Sequence, residues 1–376
     1  MYDQIREDTL FIIFYTLVTG MAMMASFYLM FRQGNAIAAD ITPPVRLRRW
    51  TAVFFASVAL NHIWYMPIFF LSSTEGILMT DLIGGLLDCM TLFPLAIVVL
   101  SVMLQDRRRP LWPVALMMIP IIAAGIFNVA NHSYALLPLI YIYFFLMCLG
   151  LIIYMVRALK QYGRWLRDNF ADLENKEVWQ SFVVLTIIML VFVVYAFTSE
   201  GPAYQYAMQA VIFVLICYLL WRVETLSNLS IHDSLPFPVD EETATTTEYA
   251  EDTNLSQTSH DNIGSLLQQY CIDTQLYLQH DLTLIQLSKA IGTNRLYLSR
   301  YFSCQGMNYN AYVNNLRINH FVNLYREAVV ARQSFTIKQL AHESGYRSYS
   351  TFNDAFKRKM GQSVTAWMKT LHGGLE

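Results

Sequence analysis

The first 222 residues hold seven apolar runs, at 10–31, 50–71, 82–104, 111–128, 134–156, 180–198 and 204–221. Each is close to the roughly 20 residues a helix needs to cross a bilayer's hydrocarbon. A single water-soluble core has no room for so much unbroken apolar chain. Composition agrees: hydrophobic residues make up 55% and charged residues 14%, where soluble domains run near a quarter charged. Pro67, Pro94, Pro120 and Pro138 interrupt several runs, which membrane helices tolerate when neighbours satisfy the freed backbone groups. The first run lacks a basic leading segment and a cleavage site, so it reads as a retained helix.

Loop charge predicts an orientation. Arg32, Arg46, Arg48 and Arg49 lie between runs one and two, and Arg107, Arg108 and Arg109 between three and four. Arg157, Lys160, Arg164, Arg167 and Lys176 lie between five and six. The opposite loops, 72–81, 129–133 and 199–203, contain no Lys or Arg, and the N-terminus has only Arg6. Positive loops stay cytoplasmic. The N-terminus is therefore expected outside, and the chain leaves the last run inside at Arg222. Trp50, Trp112, Trp179 and Trp221 near run ends suit interfacial anchoring.

The outer loops are too short for a receptor domain. A signal would have to be read inside the bundle, at its outer mouth or from the lipid. Polar residues at membrane depth are the candidates for that site: Asp88, Asn61, His62, Asn128 and Asp81, with Asn131, His132 and Glu200 near the outer edge. The competing reading makes Asn61 and Asn128 interhelical hydrogen bonds and places His62, His132, Asp81 and Glu200 at the wet interface. Gly84 and Gly85 beside Asp88 permit close helix approach.

Polarity then changes abruptly. Residues 227–260 carry seven acids and no Lys or Arg, with Pro236 and Pro238. This is the composition of a disordered tether. Residues 263–376 carry twelve Lys or Arg against six Asp or Glu, and a basic domain suggests a polyanionic partner. The expected domains are a seven-span membrane part over 1–226, an acidic linker over 227–262 and a soluble helical domain over 263–376.

Within that last domain a pattern occurs twice. Thr283-x-x-Gln286 opens one helix and Thr336-x-x-Gln339 another, each with the spacing of a capping box. Gly292 and Gly345 each follow their Thr by nine residues and suit left-handed helix ends. A second helix follows each Gly, capped by Asn294 or Ser348. Leu298 and Phe302 in the first copy, and Phe352 and Phe356 in the second, mark the buried face at i and i+4. A short helix, a Gly turn and a second amphipathic helix make a helix-turn-helix. The segment 307–330 fits one connecting helix. Arg317 on it suits either a neighbouring backbone or a phosphate.

The outward face follows from the inward one. In the first copy it presents Arg295, Leu296, Ser299 and Arg300; in the second, Tyr349, Ser350, Asn353 and Asp354. Arg binds guanine bidentately, Asn binds adenine and Asp accepts from cytosine N4. Arg347, Lys357, Arg358 and Lys359 flank the second helix and suit phosphates. A plain solvated face is the competing reading, and Asp354 could instead pair with Arg358 one turn on.

Residues 263–370 resemble the DNA-binding domain of AraC/XylS-type transcription regulators. The resemblance rests on Leu298-Ser-Arg-Tyr-Phe302, Arg317, Leu340-Ala-x-x-x-Gly345-Tyr346, Ser350-x-Phe352-x-x-Ala355-Phe356-Lys357 and Gly361. It covers under a third of the chain. It implies a seven-helix domain with two recognition helices entering successive major grooves. It also implies RNA polymerase as a partner and admits a homodimer; together with the apolar runs it leads to the expectation of a bacterial cytoplasmic membrane, with the C-terminal domain in the cytoplasm. The sequence departs from the family with Phe321 for a small residue, Val364 for a common Pro and Asp354 for a basic residue.

The expected architecture is thus all-α: a polytopic membrane bundle of about seven spans plus a double helix-turn-helix domain. The expected function is a membrane-bound DNA-binding transcription regulator that is not an enzyme. Its expected partners are double-stranded DNA, the lipid bilayer and an unknown small ligand or membrane protein. The rival is a transporter or channel with a regulatory helix-turn-helix appendage. The five cysteines form no CxxC and no HExxH occurs, so neither a metal nor another cofactor is expected.

Overall fold

In hydrocarbon only a helix satisfies its own backbone within one segment, and every apolar run is helical. The computed structural model describes residues 8–32, 34–71, 73–198, 202–229 and 262–372. The acidic tether, with Asp233 through Asp252, Pro236 and Pro238, lies outside the described residues, as do Arg6 and Glu200.

The apolar half runs α1 (Thr9–Phe31), α2 (Val45–Tyr65, extended by a 3-10 turn over Met66–Phe69), α3 (Thr74–Met90) and α4 (Leu92–Met103). It continues with α5 (Trp112–Ala130), α6 (Leu137–Asn169), α7 (Trp179–Thr198) and α8 (Pro202–Thr225). Among the described residues, six segments are long and apolar enough to cross a membrane: α1, α2 with its 3-10 turn, α3 with α4, α5, α6 and α8. In α7 the apolar stretch Trp179–Ile188 is shorter. Met24, Phe31 and Phe145 are 74%, 73% and 68% exposed, an outward apolar surface that suits lipid and not water.

Three elements differ most from their expected bounds, the first being α2, which begins at Val45 rather than 50 and so takes in Arg46, Arg48 and Arg49. The third run begins earlier, at Thr74, and is broken at Thr91 (φ −122°, ψ −66°). Pro94 causes this, because its ring excludes the carbonyl four residues back and it has no N–H to donate. The fifth run does not end at 156: α6 continues to Asn169. Ala158, Tyr162 and Leu166 follow each other at four-residue steps and are all buried, so the basic stretch expected as a loop is one amphipathic helix.

Several basic residues counted as loop charge are buried in ion pairs or hydrogen bonds. Arg48 Nε lies 3.1 Å from Glu224 Oε1, and the Tyr28 hydroxyl donates to Glu224 Oε2 (3.0 Å). Arg109 pairs with Asp106 at 2.8 Å. Arg222 donates to Ser181 Oγ (2.6 Å) and to the carbonyl of Glu177.

Contacts divide the chain into two units, Met1–Tyr162 with Asn175–Asp233, and Gly163–Glu174 with Ser234–Glu376. The second unit therefore includes a segment from the end of α6 that sequence had assigned to the membrane part. Its C-terminal helices are α9 (262–267, running into a π turn over Gln268–Ile272), α10 (Leu284–Ala290) and α11 (Arg295–Cys304). There follow α12 (Tyr309–Val330), α13 (Ile337–Glu343), α14 (Tyr349–Met360) and α15 (Val364–His372). No strand occurs among the described residues; Phe170 and Thr283 form an isolated antiparallel bridge.

Candidate nucleic-acid interface

Each helix-turn-helix is assembled from its caps outward. Thr283 Oγ1 accepts from the Gln286 N–H while Gln286 Oε1 accepts from the Thr283 N–H, a complete capping box. Thr336 accepts from the Gln339 N–H, but the Gln339 side chain reaches Glu343 Oε1 instead (3.0 Å). The second copy thus has only half the expected box. Gly292 (φ +71°) and Gly345 (φ +89°) take the left-handed conformation that their positions predict. A Cβ on Gly345 would meet the Leu278 carbonyl oxygen at 2.8 Å. Asn294 and Ser348 cap α11 and α14 as expected.

Both recognition helices are locked from behind. Leu298 and Phe302 sit in one apolar cluster with Leu284, Leu287, Tyr309 and Val313. Phe352 and Phe356 sit in another with Phe321, Tyr346, Val364 and Trp367. Phe321, the departure from a small residue, is filled into this core, with its ring centroid 4.5 Å from that of Phe352.

Arg317 resolves the alternatives left open by sequence. It is 1% exposed, and its guanidinium donates to the carbonyls of Tyr277 (2.7 Å), Gln279 (2.6 Å) and His280 (3.2 Å). It also lies over the Tyr346 ring at 5.5 Å. Burial lowers its pKa and raises that of Tyr346. Arg317 is a structural pin between the motifs, out of reach of phosphate.

With the backs fixed, the outward side chains share one side of each helix. On α11, Arg295, Leu296 and Arg300 are exposed and Ser299 is half-buried. Tyr297, which the sequence reading passed over, is 63% exposed beside Leu296 at 74%. It belongs with them because it precedes the buried Leu298 on the free side of the first turn. On α14, Ser350 and Asp354 are exposed, Asn353 is half-buried, and Tyr349 leans onto Phe352 with centroids 5.8 Å apart.

The expected phosphate contacts divide. Lys357 and Arg358 are exposed in the last turn of α14, and Arg358 donates to the backbone carbonyl of Asp354 (3.2 Å) rather than to its carboxylate. Arg347 lies 3.6 Å from Asp281, with both side chains half exposed. Lys359 has a different task. Its ammonium donates to the Asn315 carbonyl (2.7 Å) and Asn319 Oδ1 (2.6 Å) on α12, and burial lowers its pKa.

Residues 287–370 match a family described as a helix-turn-helix domain. This stretch is a helix-turn-helix domain of the AraC/XylS type. The TCP pilus virulence regulatory proteins of two Vibrio cholerae serotype O1 strains, classical Ogawa 395 and El Tor Inaba N16961, are each 30% identical to the chain over 86 residues. That covers 23% of this chain and 29% of each relative. No solved structure matches the chain.

Of the candidate signal residues, Asn61 and Asp88 are hydrogen-bonded to each other, while the side chains of His62 and Asn128 bond other partners. Asn61 Nδ2 donates to Asp88 Oδ1 (2.6 Å) and the Tyr65 hydroxyl to Asp88 Oδ2 (3.2 Å). Gly84 makes room for the Tyr65 ring, which a Cβ there would meet at 2.5 Å, whereas Gly85 faces open space. His62 is bound elsewhere, through Nδ1 to the Val58 carbonyl (2.8 Å) and Nε2 to Gln209 Oε1 (3.0 Å). Asn128 accepts from the Leu136 N–H (3.0 Å) and closes the turn after α5.

Proposed function

We propose that the chain is a membrane-anchored transcription regulator that reads DNA sequence through α11 and α14. Its apolar half would act as anchor and sensor, with the C-terminal unit on the cytoplasmic side of a bacterial inner membrane. One observation carries the reading: two copies of the same motif, each with a cap, a left-handed Gly and a buried aromatic back. Each leaves a polar face free beside basic side chains.

Arg295, Leu296, Tyr297, Ser299 and Arg300 on α11, and Tyr349, Ser350, Asn353 and Asp354 on α14, are the proposed base-reading set. Arg347, Lys357 and Arg358 are the proposed phosphate set. The relatives' description as regulatory proteins supports the same class of function. RNA polymerase and a second copy of the chain remain partners implied by that resemblance.

Capture of genomic DNA by the full-length protein, with and without Arg300→Ala and Lys357→Ala, tests the reading. A defined set of fragments should be enriched, and Arg300→Ala should reshuffle it. Capture without sequence preference would refute it.

The membrane signal is proposed to act at Asp88, Asn61 and Tyr65, the polar cluster between α2 and α3. That cluster also favours a second reading, a transport path with a regulatory appendage. Solute uptake by a chain truncated after Leu226, abolished by Asp88→Asn, would favour transport over sensing.

A further inference from the structure

Residues 163–174 read from sequence as part of a charged connection between two spans, yet they group with the DNA-binding unit. The grouping has a physical basis. Ala171 is 1% exposed and lies in the same apolar cluster as Leu282, Leu284, Leu298 and Phe302. Phe170 bridges antiparallel to Thr283, and the Ala171 N–H donates to the Leu282 carbonyl (3.2 Å). The start of α12 holds the other side. Asn310 Nδ2 donates to the carbonyls of Phe170 (3.2 Å) and Ala171 (2.7 Å). Asn314 Nδ2 donates to that of Ala171 (3.2 Å).

Asn310 and Asn314 are 4% and 8% exposed. Buried amides are costly unless bonded, and here the segment's carbonyls are acceptors for both. The segment then reaches the second motif. Glu174 Oε2 accepts from Thr351 Oγ1 (3.2 Å), and Thr351 lies in the first turn of α14. A helix N-terminus attracts anions, phosphate included. In this arrangement it is a carboxylate of the chain itself that stands there.

We propose that residues 169–174 are an internal ligand of the DNA-binding unit. They seat across both helix-turn-helix motifs and place the Glu174 carboxylate at the first turn of α14, in competition with DNA phosphate. The docked state is autoinhibited, and release of the segment frees the second recognition helix. The inhibitory half of this proposal rests on the DNA-binding reading; the docking half does not. Because the docked residues follow directly from α6, the latch is covalently in line with the fifth apolar segment.

The test uses the full chain in lipid nanodiscs with two readouts. Hydrogen exchange reports the Ala171 amide. Fluorescence anisotropy reports affinity for a labelled random-sequence duplex of about 30 base pairs, about three helical turns. Asn310→Asp with Asn314→Asp sets carboxylates against the segment's carbonyls. Ala171→Glu expels the segment while leaving every residue of 234–376 unchanged. Glu174→Gln keeps the dock and removes the charge.

Both expelling variants should lose protection at Ala171 and bind DNA about tenfold more tightly. Glu174→Gln should keep protection and gain about two- to fivefold. Unchanged protection in both expelling variants overturns the dock. Lost protection with unchanged or weaker DNA binding overturns the inhibition. Should the Asn pair unfold α12, seen as exchange along its length, Ala171→Glu and Glu174→Gln decide the matter. If neither wild type nor any variant binds the duplex, the DNA-binding reading fails and takes the inhibition with it, while exchange still judges the dock.

Discussion

The two helix-turn-helix copies share one plan and differ in what they present. The first has a complete capping box and a 10-residue recognition helix with Arg295, Leu296, Tyr297 and Arg300 outward. The second has half a box and a 12-residue helix that ends at left-handed Gly361, with Lys357, Arg358 and Lys359 in its last turn. Its outward set is milder: Tyr349, Ser350, Asn353 and Asp354. The first copy carries its cations, Arg295 and Arg300, on the outward face of the helix, while the second carries Lys357 and Arg358 in the last turn. Under the proposed function, the comparison teaches that a duplicated motif can divide its labour, the first copy being suited to reading sequence and the second to supplying grip. The structural demands on the copies also diverge, because only the second turn abuts the Leu278 backbone and Arg317.

The sharpest way to break the comparison is at the two turn glycines. Gly345→Ala adds a Cβ 2.8 Å from a backbone oxygen and a strained positive φ. It should cost about 3 kcal/mol or more, read as a fall in thermal midpoint of the C-terminal unit. Gly292→Ala meets open space and should cost only about 1–2 kcal/mol from strain. Equal losses would show that the close approach at the second turn does not matter.

Next come the side chains that define the division of labour. Arg300→Ala should cost about 1–3 kcal/mol at its own base position and relax specificity there. Lys357→Ala should weaken all sequences alike and reduce the salt slope by about one. If the two variants show the same sequence profile, the copies do not differ in role. The caps give a smaller effect. Gln286→Ala should destabilise by about 0.5–1 kcal/mol through loss of the reciprocal bond, and Gln339→Ala by less. Urea midpoints at equal slope would measure both.

The smallest expected effect is a pH dependence from His320 on α12. Burial lowers its pKa from the usual histidine value. The folded state therefore binds its proton less readily than the unfolded chain. Stability from this group is fully present above about pH 6.5, the ordinary histidine value, and is lost as pH falls below it. His320→Gln should flatten that acid limb in thermal melts; an unchanged limb would assign it elsewhere.

The periodic parts of this architecture were legible in the sequence. Caps, glycines and the buried pairs Leu298–Phe302 and Phe352–Phe356 are local signals, and each stands where its spacing put it. The end of α6 was not legible by hydropathy, because charge begins at Arg157 while the four-residue buried stripe runs on through Leu166. Contacts between distant residues were also hidden. Nothing local to Asn310 or Glu174 points to the partners at Ala171 and Thr351. Arg317 was visible as important but not as internal, since its acceptors are backbone carbonyls that any sequence would supply. Lys359 shows the same blindness, because a basic flank resembles a phosphate contact until its acceptors on α12 are seen.

The connecting helix α12 has a mechanical consequence. Its 22 residues make a rod about 33 Å long at 1.5 Å per residue, close to the roughly 34 Å repeat of the duplex. Arg317, through the carbonyls of Tyr277, Gln279 and His280, and Lys359 of α14, through Asn315 and Asn319, both pin the same stretch near its middle. Under the proposed function, such a strut neither stretches nor folds, so a mismatch between its length and the groove repeat would fall on the nucleic acid. Target sites would then be chosen partly for how cheaply they bend or untwist between the two contacted stretches.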